Sequence, residues 1–354
     1  MQDIIDQLTD TIRTAAANRM PLCIRGGGSK DFYGGPLRGD ALEVGGYRGI
    51  VDYDPTELVI TARAGTPLTE IEAVLREKGQ MLAFEPPHFG SSSTLGGCIA
   101  AGLSGPRRAY TGAARDFVLG VRMLDGAGND LRFGGQVMKN VAGFDVSRLM
   151  AGSLGTLGVI LEVSLKMLPL PAAEITLRLA QTAAEAIALA NAWAGRPLPV
   201  SATAWTAGNL VVRLSGAATA VDAAAKKLGG ERLAAEAAAR FWHGVREHTD
   251  PFFNSGQPLW RLSLKSTTPP LNLPGTQLIE WGGALRWVAT DADAHTVRAA
   301  AALGGGHATL FRASDKSAGV FQPLPPALQT IHRKLKQAFD PAGIFNPGRL
   351  YDWM

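Results

Sequence analysis

The chain has 354 residues, with 35 Lys+Arg against 31 Asp+Glu, a formal net charge of +4, and 46% hydrophobic residues. That length exceeds what one hydrophobic core usually serves, so two lobes are expected, and the apolar content excludes a disordered chain. The basic residues are scattered and the only cysteines are Cys23 and Cys98, which excludes a nucleic-acid stripe, a disulfide framework, and a zinc or iron–sulfur site within this chain.

In chain order, Ile4, Ile5, Leu8, Ile12 and Ala15 fall on one helical face and predict a helix over 2–18. Asp3, Asp6, Asp10 and Arg13 interrupt its apolar run, so it is not a signal peptide. No apolar stretch is long enough to span a bilayer, and a soluble cytoplasmic protein is the default expectation. Pro21 ends the helix and 22–25 reads as a strand. The stretch LVITARAGTPLTEIEAVLREKGQML predicts a strand at 58–64 and a helix at about 67–78. Thr66 is its expected cap, with Pro67 in the first turn and Gly79 at the end. Residues 86–112 read as loop and short helix. Val118, Val121 and Met123 lead into the DGAGN turn, and Leu131 and Phe133 return, which predicts a hairpin. The segment GSLGTLGVILEVSLKMLPLP predicts a strand with a proline-rich exit at 169–171, taken as a domain boundary. Beyond it, helices are expected at 182–195 and 218–240 and strands at 175–180, 210–214 and 285–290, an α+β lobe over 171–320. A helix and a Pro/Gly-punctuated end form the tail, 321–354.

The chemistry-bearing stretches are glycine clusters. PLCIRGGGSK, residues 21–30, puts three glycines after a strand. Exposed N–H groups in such a turn form a nest for anion oxygens, and Arg25 or Lys30 could add charge. Neither the P-loop nor the dinucleotide GxGxxG-plus-helix pattern is present, and DGAGND is only a hairpin turn, so Rossmann-type NAD binding is disfavoured. Two more clusters follow, STLGGCIAAGLSGPRR at 93–108 and GFDVSRLMAGSLGTLGVI at 143–160.

In this order and at these separations the clusters resemble the FAD-binding domain of the vanillyl-alcohol-oxidase (PCMH) flavoprotein superfamily. The matching residues are the RGGG loop, then Ala64, Gly65 and Thr66, and Thr94 to Ala100. They continue with Gly112, Arg115, Asp116, Val118, Leu119 and Gly120, and then Lys139, Asn140, Gly143, Phe144 and Asp145. Gly152 to Ile160 completes the set. The ending FDPAGIFNPGRL, 339–350, resembles that of the glycolate and D-lactate dehydrogenase branch. The resemblance implies an α+β fold: a PCMH-type FAD-binding domain of two α+β subdomains over 1–170, plus a smaller α+β C-terminal lobe of cap or substrate type over 171–320, with the tail, 321–354, returning to the FAD-binding domain. It implies FAD held at Arg25, Gly26, Gly27, Gly28, Ser29, Lys30, Ser93, Thr94, Gly96, Gly97, Ala100, Ala101, Val159 and Ile160. The pyrophosphate would lie on the N–H groups from Gly26 to Lys30, where side chains would occupy its space. Covalent flavin attachment in this superfamily often uses a His in the first loop. Ser29 stands there, so the FAD is expected to be non-covalent, and Cys98 is read as a packing residue.

The chain departs from the branch in its second lobe. The GHxGDGNxH segment of related 2-hydroxyacid dehydrogenases is reduced to LGGGHATLFR, residues 303–312. This leaves His307 and Arg312 as the weak catalytic candidates and no metal-ligand set. The six histidines form none, and His243 and His248 are spaced wrongly for one helix face. A kept flavin domain with a lost catalytic segment resembles the FAD-binding subunits of bacterial glycolate oxidases. That resemblance implies two partners, a sister FAD-dependent 2-hydroxyacid dehydrogenase subunit and an iron–sulfur subunit. It also implies a small 2-hydroxyacid substrate and only indirect contact with the membrane, at its inner face through those partners. The alternatives are a self-sufficient FAD-dependent D-2-hydroxyacid dehydrogenase and a flavin-free structural subunit.

Overall fold

The computed structural model describes residues 2–135 and 145–354. Lys139, Asn140, Gly143 and Phe144 of the motif lie outside the described residues. The N-terminal helix, Gln2–Asn18, buries Ile5, Leu8, Ile12 and Ala15, the stripe that the 3.6-residue period predicts. It packs on Leu22, Leu42, Val44, Val159, Leu161 and Phe345. The strand Leu22–Arg25 pairs in parallel with Asp40–Glu43. On its other side it takes the C-terminal tail: Leu22 N donates to Ile344 O (2.7 Å), and Asn346 N donates to Leu22 O (2.9 Å).

Among the described residues, the first half is built on a five-stranded antiparallel sheet. Its order is Ile50–Asp54, Val59–Arg63, Val159–Lys166, Val118–Leu124 and Asp130–Gly134. The expected hairpin is there, with Val121 opposite Phe133 and Leu124 opposite Asp130. Asp125 closes its turn by accepting from the N–H groups of Ala127 and Asn129, both at 2.9 Å. The helix Leu68–Glu77 packs on this sheet. Its N-cap position is Pro67 and not the expected Thr66. The Thr66 hydroxyl is turned the other way and accepts from Gly49 N at 2.9 Å.

The second half is an eight-stranded sheet. Its order is Glu231–Arg232, Ala173–Ala180, Asn209–Gly216, Val200–Thr206, Thr276–Glu280, Leu285–Ala289, Leu259–Ser263 and His307–Arg312. The expected helix over 218–240 is two helices, Ala218–Leu228 and Ala235–Glu247. Gly229 and Gly230 between them have φ of +69° and +89°. Those values end a helix, and the freed segment pairs Glu231–Arg232 with Arg178 and Leu177.

A buried ionic hub joins the halves. Glu85 accepts from Arg107 N (2.9 Å) and Arg107 Nε (3.3 Å), and Arg213 Nη2 lies 2.8 Å from it. Arg107 Nη2 also reaches Glu174 at 2.9 Å. Burial alone would raise the Glu85 carboxyl; the charges and hydrogen bonds of Arg213 and Arg107 outweigh it and hold the group below its ordinary 4.5. A carboxyl lowered by folding contributes stability above the unfolded value, and that stability is lost as pH falls through the folded value. Resistance to urea is therefore expected to fall as pH drops below about 4.5. Glu85→Gln is expected to be less stable at pH 7 and to lose less on acidification.

The tail helix Pro326–Phe339 ends in a second buried pair. Lys336 Nζ donates to Asp340 Oδ2 (2.7 Å), Phe345 O (2.8 Å) and Thr156 O (2.9 Å). Asp340 accepts from Phe345 N (2.8 Å) and Ile344 N (3.1 Å). Asp340→Ala is expected to cost about 3–5 kcal/mol in urea unfolding, because it strands the Lys336 ammonium.

Candidate functional site: a glycine-lined cleft

The strand Leu22–Arg25 runs into the RGGG loop, and the loop forms one wall of a cleft with an empty volume of about 760 Å³, part of it open to solvent. Of the residues expected at the cofactor, Arg25, Gly26, Gly27, Gly28, Ser29, Lys30, Thr94, Gly96, Gly97, Ala100, Ala101 and Ile160 line it. Two do not. Val159 is fully buried in the core under the N-terminal helix. Ser93 sits behind the wall, where its hydroxyl accepts from Lys30 Nζ at 2.8 Å.

The N–H groups of Gly27, Gly28, Ser29 and Lys30 donate to no acceptor among the described residues. Gly28 has φ +71°, which turns the loop back on itself and is costly for any residue with a side chain. Unpaired N–H groups in such a turn, on the wall of a cleft, are an anion cradle. Lys30 stands beside them. Its ammonium donates to three neutral oxygens, Ser93 Oγ (2.8 Å), His88 O (3.1 Å) and Ser29 Oγ (3.4 Å), and lies over the Phe89 ring at 5.8 Å. Burial pushes it below the ordinary lysine value. Arg25 is different, because Asp31 already pairs with it at 2.7 Å. Lys30 thus has no acid partner among the described residues, and its three donors are taken by neutral oxygens.

The glycines at 26 and 27 also have a packing reason. A Cβ on Gly27 would lie 1.5 Å from the carbonyl oxygen of Ser92, and one on Gly26 would lie 2.4 Å from Thr94 Oγ1. The loop packs on the Ser92 backbone at 27 and on the Thr94 hydroxyl at 26. Gly96 likewise packs against Ala64, at 2.7 Å from an added Cβ. The N–H groups at the start of the helix Leu95–Ala101 are used inside the protein: Leu95 N on Thr66 O, Gly96 N on Ala64 O, and Gly97 N on the Thr94 cap. That helix end therefore offers no free donors at these positions. Cys98 is buried and its thiol is pushed up to about 12 by burial. It is a neutral packing group, as read from the sequence.

Sequence reasoning expected the tail to return to the FAD-binding domain but named none of its residues at the cleft. Asn346 and Arg349 line the cleft. Asn346 Oδ1 accepts from Ile24 N (2.7 Å), and its Nδ2 donates to Leu154 O (2.6 Å). Arg349 donates to the carbonyls of Asp31, Tyr33 and Gly35. The available signal was the FNPGR stretch, where Asn346 and Arg349 flank a Pro347–Gly348 pair that ends regular structure. Their partners were not readable. His307 and Arg312 are not brought together. They stand at the two ends of the edge strand His307–Arg312, about 17 Å apart at the usual strand rise. His307 is exposed, and Arg312 lies over the Phe32 ring at 4.8 Å.

Such a cleft defines a nucleotide-cofactor protein of the PCMH-type flavoprotein fold. Residues 4–134 match the FAD binding domain family. Among solved structures, p-cresol methylhydroxylase with substrate bound superposes with TM-score 0.71 at 15% identity, over 98% of this chain and 87% of that one. Alkyldihydroxyacetonephosphate synthase gives TM-score 0.66 at 16% identity, over 98% and 76%. The chain is 50% identical to the glycolate oxidase subunit GlcE of Escherichia coli (strain K12), over 99% of its own length and 98% of that protein. It belongs to that family. The glycolate oxidase subunit GlcD of Bacillus subtilis (strain 168) is 32% identical over 49% of this chain and 37% of that protein.

Gly27→Ala is expected to force the two clusters apart and strip the purified protein of its 450 nm flavin absorbance. Gly46→Ala, where nothing lies within 4 Å of an added Cβ, is expected to leave that absorbance unchanged.

Proposed function

We propose that this chain is the FAD-binding subunit of a multi-subunit glycolate oxidase, which converts glycolate to glyoxylate and passes the electrons to a partner. The observation that carries the reading is the row of four unpaired N–H groups, Gly27 to Lys30, beside the Lys30 ammonium. It occurs in a chain whose whole length matches a glycolate oxidase subunit. Those groups would hold the pyrophosphate. Thr94, Gly96, Gly97, Ala100, Ala101 and Ile160 would face the rest of the cofactor, and Asn346 and Arg349 would close the cleft from the tail. FAD supplies the two-electron acceptor when bound. Ser29 stands in the loop and the Cys98 thiol is neutral and buried, so the bound form is non-covalent. The partners are a sister FAD-dependent 2-hydroxyacid dehydrogenase subunit and an iron–sulfur subunit. Among the described residues no helix is long and apolar enough to cross a membrane. Any contact with the inner membrane would pass through those partners.

The separation of His307 from Arg312 disfavours a self-sufficient dehydrogenase built on that pair. A catalytic base contributes about 10²- to 10⁴-fold only when it is within hydrogen-bond reach of the proton it takes. The test uses the chain alone and then mixed with its partner subunits. Acid precipitation is expected to release all the yellow colour into the supernatant. Glycolate oxidation with an artificial acceptor is expected only in the mixture, and His307→Ala is expected to leave it unchanged. Turnover by the isolated chain that vanishes in His307→Ala would overturn the subunit reading.

A further inference from the structure

We propose that Lys316, carried by the eight-stranded half, is a positioning residue for the anion cradle. It anchors a relay of hydrogen-bonded peptide units whose far end is the unpaired Ser29 N–H. The role in cofactor binding rests on the cradle being the phosphate site, as proposed above; the relay itself does not.

The segment after the strand His307–Arg312 is fastened to its own half. Leu310 N donates to Val320 O (2.8 Å), and Arg298 donates to Ala318 O (2.8 Å) and Gly319 O (2.7 Å). Between the strand and these ties, Lys316 reaches across to the other half. Its ammonium donates to Phe32 O and to Gly34 O (2.9 Å), in the loop that follows the cradle. Arg349 takes the alternate oxygens, those of Asp31, Tyr33 and Gly35. Two cations thus hold every carbonyl from 31 to 35. Lys316 has no acid partner among the described residues. Burial, and then the charge of Arg349, push its ammonium below the ordinary lysine value. The carbonyl dipoles offset part of that cost.

One of the two carbonyls leads back to the cradle. A peptide unit joins the carbonyl of one residue to the N–H of the next. The unit that offers Phe32 O to Lys316 carries the Tyr33 N–H, which donates to Lys30 O at 3.0 Å. The unit of Lys30 O carries the Asp31 N–H, which donates to Gly28 O at 3.1 Å. The unit of Gly28 O carries the Ser29 N–H, which has no acceptor among the described residues and belongs to the cleft wall. Three peptide units therefore run head to tail from the ammonium to the cleft. In such a chain each hydrogen bond strengthens the next, by about 10–30% per bond. A positive charge at the acceptor end makes the free N–H at the other end a better donor to an anion. The other three cradle amides are off this path. Their peptide units present Gly26 O, Gly27 O and Ser29 O, and none of these accepts a hydrogen bond among the described residues.

The test follows the amide protons of Gly27, Gly28, Ser29 and Lys30 by NMR in the 15N-labelled full-length chain, with and without FAD, and measures FAD affinity by flavin fluorescence. In the FAD-free chain, Lys316→Met is expected to move the Ser29 amide proton upfield and to leave the other three nearly in place. It is expected to weaken FAD binding about 10-fold, the size of one charge-assisted hydrogen bond. Lys316→Arg is expected to restore both. A lysine that merely tied the halves together would, when removed, loosen the loop and move all four amides alike; that result, or an unmoved Ser29 amide, overturns the relay. Unchanged FAD affinity in folded Lys316→Met overturns the positioning role. No variant is needed for a further check: FAD bound to the unmodified chain is expected to shift the Ser29 amide downfield, and an unmoved amide overturns its part in binding. A selective Ser29 shift in Lys316→Met, in a chain that refuses FAD, would leave the relay standing and sink the function proposed above.

Discussion

The arrangement depends on the place where the bare first loop lies directly on the Ser92 backbone and the Thr94 hydroxyl. Gly26 and Gly27 lie on Ser92 to Thr94 so closely that a methyl group at 27 would overlap a carbonyl oxygen. This crossing holds the first loop in a course that leaves the N–H groups of Gly27 to Lys30 without an acceptor among the described residues. Unpaired amides cost free energy in a buried setting, and a fold retains them where a ligand completes them. The loop is therefore both a packing element and a half-made binding site.

The rest of the chain holds that crossing in place. The tail joins Leu22–Arg25 as a neighbour through Leu22, Phe345 and Asn346, so the first strand and the last residues form one unit. The Lys336–Asp340 pair holds the turn that brings the tail there. Arg349 then collects three carbonyls of the loop that follows the glycines. On the opposite side, the Glu85–Arg107–Arg213 hub joins the flavin half to the eight-stranded sheet. In each case a buried charge is matched by several hydrogen bonds, the condition under which buried ions fix geometry rather than merely cost solvation. Lys30 is the contrast. It has no acid partner among the described residues, and it lines the cleft.

Much of this was legible in the residues. The N-terminal helix, the hairpin around DGAGN and the glycine loop were found because each is set by local rules: a 3.6-residue stripe, turn chemistry, and backbone that must do without Cβ atoms. Most of the expected cleft residues were found for the same reason. The misses have a common cause. Thr66 was read as a cap by local rule, and a non-local partner, Gly49, took its hydroxyl. The helix over 218–240 was read through two glycines because its alanines outweighed them, whereas the sheet edge at Arg178 used the break.

The sequence by itself determined the class of the protein and most of the residues that line the cleft. Glycine clusters constrain the backbone they belong to, and that constraint is written in consecutive residues. Only the tertiary structure decided why those glycines are bare, that Asn346 and Arg349 belong to the cleft, and that His307 and Arg312 are strangers on one strand. It alone set Lys316 on the carbonyls behind the cradle. Each of these is a relation between residues far apart in the chain. The sequence records which donors and acceptors exist, and the packing of the two sheets decides which of them meet.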